Sequence, residues 1–257
     1  MAVLVIDAGN SRLKWARAQG SQLGPSRAAA HSKWSRADYA RRLRRVAESV
    51  DGMLVSSVAG PEVRAALSAV ARSAKVRIRF LKVPARGAGI TVGYREPWRL
   101  GVDRFAGLVG AHHLFAGIPV CVVGVGTAMT LDLVGRDGRH FGGAIIPSPS
   151  LMVEVLLTRT HGIRRRAQGG SVKPRGPFGR STRDAIREGT RFAAAAAIDR
   201  LVAEGTVLAG AKPLVVLTGG GAPAVRPLIL SHCVRVPDLV LRGLAVLAQP
   251  PQRQALT

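Results

Sequence analysis

The sequence predicts an α/β protein in which mixed β-sheets are flanked by helices, and three observations support this class. Apolar runs of strand length alternate with segments of helical periodicity, as in residues 3–7 and 36–49. A hairpin signal, Asp137-Gly138, lies between two of the strands, so antiparallel pairs are mixed with strand–helix–strand units. The stretch at 3–16 also recurs at 120–133, which predicts two similar domains facing a cleft.

The bulk properties exclude several classes of protein. A chain of 257 residues with 47% apolar content can bury a large core in one or two domains. Its apolar stretches stay short of the roughly 18 residues that a membrane helix needs, so no membrane partner is predicted. The N-terminus has no basic leader, and Cys121 and Cys233 show no metal-ligand spacing. These features predict a cytoplasmic protein with two free thiols.

The net charge of +23 is the unusual property of the chain, which has 32 arginines and six lysines. Such a charge is compatible with a polyanionic partner such as nucleic acid. Aromatic residues make up only 4% of the chain, and none is interleaved with the arginine clusters at 41–45 and 164–166. A surface that stacks single-stranded bases needs such aromatics. We therefore favour arginines on solvated faces and predict no nucleic-acid partner.

The first predicted domain covers residues 1–115. Residues 13–18 form a hairpin with the first strand, and the helix at 36–49 is amphipathic. A buried strand follows at 52–60, Pro61 begins a helix that extends to Ala71, and a further strand lies at 75–83. The domain ends with a helix over 104–115, for which Asp103 is placed as the N-cap.

The second predicted domain covers residues 116–257. Three strands lie within 119–147, and the basic stretch 164–180, rich in Gly and Pro, is predicted to be a mobile loop. Ser181 and Asp184 resemble a capping box that begins a long helix, expected to end near Ala203. A strand with a glycine turn at 213–221 and a closing helix at 239–248 complete the domain.

The repeated stretch predicts a nucleotide site. It pairs Gly9 with Gly126 and Asn10 with Thr127, and each copy is an apolar strand, a glycine-containing polar turn and a second strand. Turns of this kind expose backbone N–H groups that bind anions, so we expect both to hold a nucleotide's phosphates. Asp7 beside the first turn suits Mg²⁺, which is bound by one or two carboxylates together with phosphates.

Five motifs in order resemble those of type III pantothenate kinase, the family that includes the Bvg accessory factor proteins. They are Asp7-x-Gly9-Asn10-Ser11, Tyr94 with Gly101-Val102-Asp103-Arg104, Gly126-Thr127-Ala128-x-Thr130-x-Asp132, Gly142-Gly143-x-Ile145-x-Pro147, and Thr218-Gly219-Gly220. The resemblance extends from residue 3 to about 245. It implies the actin-like ATPase (ribonuclease H-like) fold of the sugar kinase and Hsp70 superfamily, with ATP in the cleft.

The resemblance also implies an activity, the ATP-dependent phosphorylation of pantothenate to 4'-phosphopantothenate, which is the first step of coenzyme A biosynthesis. The implied partners are ATP, pantothenate and a second copy of the chain in a homodimer. The implied cofactors are Mg²⁺ and a monovalent cation, K⁺ or NH₄⁺.

Roles for individual residues follow from the matched motifs. Asp103 is implied to be the general base that accepts the proton of the pantothenate hydroxyl, and Asp7 to position hydrated Mg²⁺. Contacts with pantothenate are implied for Tyr94, Gly101, Val102, Asp103, Arg104 and Thr182. Contacts with ATP are implied for Asp7, Ala8, Gly9, Asn10, Ser11, Arg12, Leu13 and Lys14, for Thr127, and for Gly219 and Gly220 with Gly221 beside them.

Structural explanations of the same residues stay open from the sequence alone. An aspartate at the end of a strand suits an Asx turn, Asp103 suits a helix cap, and Thr182 suits capping beside Ser181. Tyr94 can cover the core, Arg104 can be a solvated helix-start residue, and His112 and His113 are expected to be structural. The alternative functions are a phosphohydrolase of the same superfamily and a non-catalytic regulatory or nucleic-acid-binding protein.

The chain departs from the family pattern at Gly124. The family usually has an acid at this position, and that acid ligates the monovalent cation. Glycine offers a hard cation only its backbone carbonyl, so we expect the cation to bind weakly or through other oxygens. The family's threonine in the first loop is Ser11 here, which keeps the hydroxyl.

Overall fold

The computed structural model describes residues 1–168 and 176–249. The chain divides into two compact units. The first contains residues 1–116, residues 137–140 and the described residues from 238 onward, and the second contains 117–136 and 141–237. The closing helix and the turn at 137–140 thus lie in the first unit, whereas the sequence prediction put them in the second. The predicted α/β class with mixed sheets flanked by helices is confirmed.

A mixed sheet forms the centre of the first unit. Its strands are β1 (Ala2–Ala8), β2 (Arg12–Gln19), β3 (Gln22–Leu23), β4 (Arg27–Ala30), β5 (Gly52–Ser57) and β6 (Arg77–Phe80). Their order is β3-β2-β1-β5-β6, with β4 also paired to β2. Strands β1 and β2 form the predicted antiparallel hairpin, in which Asp7 is paired with Lys14. Strands β1, β5 and β6 are parallel. A short hairpin of β7 (Arg86–Gly87) and β8 (Ile90–Thr91) follows.

Helices cover both faces of this sheet. Helices α1 (Arg36–Ala47) and α2 (Pro61–Ser73) pack on one face, and α3 (Val102–Leu114) and α8 (Leu239–Leu247) pack on the other. Successive side chains of a strand point to opposite faces. Ile6 and Val55 therefore face α1 and α2, while Val5 faces α3 and α8. The same alternation puts Asp7 and Ser56 on the face covered by α3 and α8.

Glycines let α3 and α8 approach each other closely. A Cβ on Gly110 would lie 2.7 Å from the carbonyl oxygen of Leu239, and a Cβ on Gly243 would collide with the carbonyl group of Ala106. The closing helix is therefore part of the core of the first unit. The apolar periodicity of α8 predicts that this helix is buried, but it does not predict on which sheet it packs. The sequence prediction therefore followed chain order and put α8 in the second domain.

A mixed five-stranded sheet forms the centre of the second unit. Its strands are β9 (Val120–Val125), β10 (Ala128–Val134), β11 (His140–Pro147), β12 (Leu214–Thr218) and β13 (Cys233–Arg235), in the order β11-β10-β9-β12-β13. The hairpin of β9 and β10 is antiparallel, and β9, β12 and β13 are parallel. In each unit, the first strand of the hairpin is thus also the first of three adjacent parallel strands, β1-β5-β6 in one sheet and β9-β12-β13 in the other. This likeness agrees with the repeat seen in the sequence.

The helices of the second unit differ from the prediction in two places. They are α4 (Pro149–Arg159), α5 (His161–Arg166), α6 (Thr182–Ala209) and α7 (Ala222–Val225). The predicted loop at 164–180 begins within α5, and its residues 169–175 lie outside the described residues. Helix α6 continues past Ala203 and ends before Gly210, whose φ of 67° suits a helix C-terminus. In the described part of the chain, no helix has the length and apolarity to cross a membrane.

Candidate active site

The turn between β1 and β2 is the first predicted phosphate loop. The N–H of Gly9 donates to the carbonyl of Arg12 at 3.1 Å, which closes a turn with Asn10 and Ser11 at its tip. Both tip residues are exposed, although the strand before them is buried. An exposed polar turn at the end of a buried strand can present backbone N–H groups to an anion.

Asp7 lies just before this turn, at the carboxyl end of β1. Asp7 as a whole is partly exposed, but the surrounding atoms shield its carboxyl group from water. Burial raises the pKa of Asp7 to about 7; the charges of Asp103 and Asp238 act in the same direction, and Lys14 opposes them. The predicted general base, Asp103, is therefore close enough for its charge to raise the pKa of Asp7, the acid predicted to position Mg²⁺.

Lys14 is held by Asp238, the residue before α8, which the sequence analysis did not identify. Its Nζ lies 3.1 Å from Oδ1 of Asp238, and the Oγ of Ser26 donates to Oδ2 at 2.6 Å. Burial raises the pKa of Asp238, but the hydrogen bonds from Ser26 and Lys14, together with the charges of Lys14 and Arg242, outweigh burial and lower it overall. Asp238 thus stays charged and orients Lys14 beside Asp7. Lys14 and Asp238 are 224 positions apart, so no local pattern could have revealed the pair.

Asp103 is the second residue of α3 and not its N-cap, as the sequence analysis placed it. Gly101 takes the N-cap position, and no side chain caps this helix end. Oδ1 of Asp103 accepts a hydrogen bond from the backbone N–H of Arg104 at 2.9 Å. A Cβ on Gly101 would lie 2.6 Å from the same oxygen. Glycine at 101 therefore begins the helix and leaves room for the carboxylate.

Tyr94 and Arg104, both predicted to bind pantothenate, contact each other. Nη1 of Arg104 donates to the hydroxyl of Tyr94 at 3.0 Å. The ring of Tyr94 stacks on His140, with centroids 5.8 Å apart and planes at 24°. His140 is only 1% exposed and supports Tyr94 from behind. The sequence offered no role for His140, because its partner lies 46 positions earlier in the chain.

Ser56 and Ser57 end β5 beside Asp7, and the sequence analysis did not single them out. Within the described residues their buried hydroxyl oxygens have no hydrogen-bond partner. Ser56 is fully buried and is paired with Asp7 in the parallel register of β1 and β5. The face that carries Asp7 thus also carries an unused hydroxyl.

The second unit contains the other predicted ATP contacts. The N–H of Gly126 donates to the carbonyl of Ala128 at 2.9 Å, so Thr127 is the tip of a very tight turn. Oγ of Ser148 donates to the carbonyl of Thr127 at 2.7 Å. Gly219 has a φ of 94°, and a Cβ there would collide with the carbonyl group of Val125. The glycines that follow β12 therefore pack directly against the strand that leads into this turn.

Thr182 is the first residue of α6. The Oγ of Ser181 accepts from the N–H of Asp184 at 3.1 Å, so Ser181 caps the helix as predicted. Asp184 is buried and pairs with Arg187, with Oδ1 and Nη2 3.0 Å apart. The capping role belongs to Ser181, which leaves the hydroxyl of Thr182 outside the cap.

The donor groups of the first unit suit a cation that takes few ligands from the protein and the rest from phosphate and water. Across residues 1–168 and 176–249, no three His, Cys, Asp or Glu side chains form a group that could hold a metal. Asp7 offers a carboxylate beside the predicted phosphate loop, and Mg²⁺ is typically bound by one or two carboxylates together with phosphates. In the second unit, Gly124 is paired with Thr130, and a Cβ at 124 would lie 2.9 Å from Oγ1 of Thr130.

The chain is similar to one protein family and to individual members of it. Residues 3–204 match the family model described as Type III pantothenate kinase. The chain is 37% identical over 245 residues to a type III pantothenate kinase of Stenotrophomonas maltophilia, covering 95% of this chain and 96% of that protein. It is 33% identical over 252 residues to one of Nitrosococcus oceani, covering 96% and 94%.

Among solved structures, the chain is similar to a putative 2-dehydro-3-deoxygalactonokinase protein from Sinorhizobium meliloti. The TM-score is 0.57 at 14% identity, covering 95% of this chain and 96% of that chain. At this identity the likeness concerns the fold alone, and the predicted actin-like ATPase fold is confirmed. The family model and the two relatives, which match nearly the whole chain, show that the chain belongs to the type III pantothenate kinase family.

Proposed function

We propose that the protein transfers the γ-phosphoryl group of ATP to pantothenate and so makes 4'-phosphopantothenate. Membership of the family supports the reaction. The observation that carries it is the pair of acids on one face of the first sheet, Asp7 beside an anion-binding turn and Asp103 close enough to raise its pKa. Phosphoryl transfer needs charge neutralisation at the phosphates and an acid that orients the nucleophile, and this pair can supply both.

Asp103 is proposed to act as the general base. Its Oδ1 is occupied by the N–H of Arg104, while in the described chain Oδ2 accepts no hydrogen bond. Oδ2 accepts the proton of the pantothenate hydroxyl as that oxygen attacks the γ-phosphorus in line. The bond from the γ-phosphorus to the bridging oxygen breaks, and ADP leaves with that electron pair. Gly101 gives the carboxylate the space that this orientation needs.

Asp7 is the residue that we propose holds Mg²⁺, through a water molecule. Its desolvated carboxyl group makes no hydrogen bond within the described residues, so its oxygens are available to a hydrated cation. When bound, Mg²⁺ neutralises charge on the β- and γ-phosphates. Residues 8–14 are proposed to surround the phosphates, and Thr127, Gly219 and Gly220 to contact ATP.

Pantothenate is proposed to bind through Tyr94, Arg104 and the backbone at 101–103, with Thr182 as a further contact. The planar guanidinium of Arg104 suits a carboxylate such as that of pantothenate. Its orientation is supported by the hydrogen bond to Tyr94, whose ring is in turn supported by His140.

Three further assignments remain predictions. A monovalent cation finds no side-chain ligand at Gly124, so we expect K⁺ or NH₄⁺ to bind weakly or through other oxygens. A homodimer is supported by the family and by the large apolar residues exposed on α6, Val207 at 80% and Leu208 at 63%. A cytoplasmic location is expected from the use of cysteine.

Product analysis tests the proposed function directly. The protein is mixed with ATP, Mg²⁺ and pantothenate, and we expect 4'-phosphopantothenate by mass spectrometry together with ADP release that requires pantothenate. ADP released equally fast without pantothenate would favour a phosphohydrolase. If neither product forms and the protein binds nucleic acid tightly on a filter in a salt-dependent way, the regulatory alternative is favoured.

A further inference from the structure

A histidine outside every matched motif holds the first loop from behind. His31 follows β4 and is 4% exposed. Its backbone N–H donates to the carbonyl of Ser11 at 3.3 Å, and its Nε2 lies 2.7 Å from the carbonyl oxygen of Gly9. One residue thus binds two carbonyl groups of the turn that is proposed to receive phosphate.

The partners of the ring determine its tautomer. A carbonyl oxygen can only accept, so Nε2 carries a proton. Nδ1 lies 2.6 Å from the hydroxyl oxygen of Tyr39, and in the neutral ring Nδ1 accepts from that hydroxyl. A directed chain of hydrogen bonds therefore extends from Tyr39 through His31 to the backbone of Gly9.

Aromatic packing fixes the ring in this position. The ring of His31 makes edge contacts with Trp34 at 6.1 Å and with Tyr39 at 6.0 Å between centroids. Tyr39 is itself buried in the core formed by α1, α2 and the sheet. The turn is thereby connected to the core of the first unit and not only to its own two strands.

We propose that His31 is a positioning residue for the ATP-binding loop, and this inference rests on the proposed function of that loop. Carbonyl oxygens that faced a phosphate would repel it, whereas N–H groups attract it. By donating to the carbonyls of Gly9 and Ser11, His31 holds these oxygens on the inner side of the turn. The N–H groups of the exposed tip then remain available to the phosphates without reorganisation when ATP binds.

Two amide variants separate this role from general support. The side-chain amide of His31→Gln reaches the position of Nε2 and can still donate to Gly9, while that of His31→Asn reaches only the position of Nδ1. Binding of Mg²⁺ with a non-hydrolysable ATP analogue is measured by calorimetry, and KM values are measured for both substrates. Tyr39→Phe is an intermediate variant, because it removes the hydroxyl that pairs with Nδ1 but keeps the ring packing and the Nε2 donor to Gly9.

We expect His31→Asn to weaken analogue binding and to raise KM for ATP about tenfold, with KM for pantothenate changed less than twofold. A tenfold change corresponds to about 1.4 kcal/mol, the size of one net hydrogen bond. His31→Gln should restore most of the affinity, and Tyr39→Phe should stay within about threefold of the wild type.

The inference is overturned if His31→Asn folds and binds the analogue as the wild type does, or if ATP and pantothenate affinities fall equally. Should His31→Asn not fold, His31→Phe fills the aromatic site without the Nε2 donor and supplies the same test. The analogue titration is independent of turnover. A wild-type protein that binds the analogue but makes no phosphopantothenate refutes the proposed function, and the titration still decides the role of His31.

Discussion

Helices α2 and α3 begin in the same way and lie in different chemical surroundings. Each is 13 residues long, has a glycine N-cap without a side-chain cap bond, and carries an acid at its second position. In α2 the acid, Glu62, is exposed, and a Cβ on Gly60 would meet nothing within 4 Å. In α3 the acid, Asp103, is partly buried, and a Cβ on Gly101 would meet its carboxylate.

This difference shows that position in a helix does not decide what an acid does. The helix dipole stabilises either carboxylate by about 0.3–1 kcal/mol. The sheet faces make the distinction, because α2 packs on the face lined by Ile6 and Val55, and α3 packs on the face that ends in Asp7 and Ser56. An acid becomes a candidate base where a second acid and a predicted phosphate loop lie beside it.

The largest effect is expected from removing the charge of each acid. Asp103→Asn should lower kcat roughly 10²–10⁴-fold, the usual contribution of a general base, while Glu62→Gln should leave kcat unchanged. Both variants lose a similar dipole interaction, so thermal unfolding should change little in either. Steady-state kinetics and calorimetry check this. Near-normal turnover by Asp103→Asn would end its assignment as the base.

The two N-cap glycines provide the next test. Gly101→Ala should lower kcat, because its Cβ displaces the carboxylate of Asp103. We expect a loss of about tenfold to hundredfold, since a misplacement of about 1 Å in a catalytic group can cost that much. Gly60→Ala meets open space and should have normal kcat. Equal kcat for the two alanine variants would contradict the idea that Gly101 makes room for the base.

A third test uses the pH dependence of stability on the α3 face. The pKa of Asp7 is about 7 in the folded protein, against 3.8 for the free side chain. The folded state therefore holds the proton more tightly, and the free energy of unfolding falls as pH rises from about 4 to 7. Asp7→Asn should remove this fall and raise the unfolding free energy at pH 8 by about 4 kcal/mol, with little difference at pH 4.

Urea unfolding of the wild type and of Asp7→Asn at pH 4, 6 and 8 measures this effect. The same Asn substitution at Asp51, an exposed acid that precedes β5 at the end of the strands away from Asp7, serves as a control for the loss of a negative charge. Parallel pH curves for the wild type and Asp7→Asn would show that the carboxyl group of Asp7 is ordinarily ionised.

The smallest effect concerns the two hydroxyls that end β5. Alternation puts Ser56 on the α3 face and Ser57 on the α2 face, and neither hydroxyl has a partner in the described chain. Replacing either by alanine should raise the unfolding free energy by about 1 kcal/mol, because a buried unsatisfied group is removed. If both alanine variants gain the same unfolding free energy, the two faces of the sheet differ in their acids and not in these hydroxyls. A loss of kcat confined to Ser56→Ala would add that hydroxyl to the chemistry of Asp7.

Local pattern was sufficient to predict most of the fold. The hairpin at 3–18, the helix begun by Pro61 and the capped start of α6 all depend on residues close together in the sequence, and all are present. The repeat at 120–133 predicted a second hairpin, which β9 and β10 form. The end of α6 was placed too early, because Gly205 lies inside the helix and packs against Leu133, and the helix ends only before Gly210 in the left-handed conformation.

The supports of the site could not be predicted in this way. Asp238, His31 and His140 each act through a partner distant in sequence, and a single chain contains no signal for such contacts. Asp103 was placed as a cap because an aspartate before an apolar helix is typical of one, whereas the N-cap is Gly101, two residues earlier. The motifs identified which acids to consider, and tertiary packing determines what surrounds them.

The packing of α8 against α3 has a consequence for synthesis of the protein. The ribosome releases residues 238–247 only after all of the second unit, yet Gly243 packs on Ala106 and Asp238 anchors Lys14 and Ser26. The first unit therefore cannot complete its folding during translation in the order of its sequence. A nascent chain arrested before residue 238 lacks both the anchor of Lys14 and the helix that packs against α3.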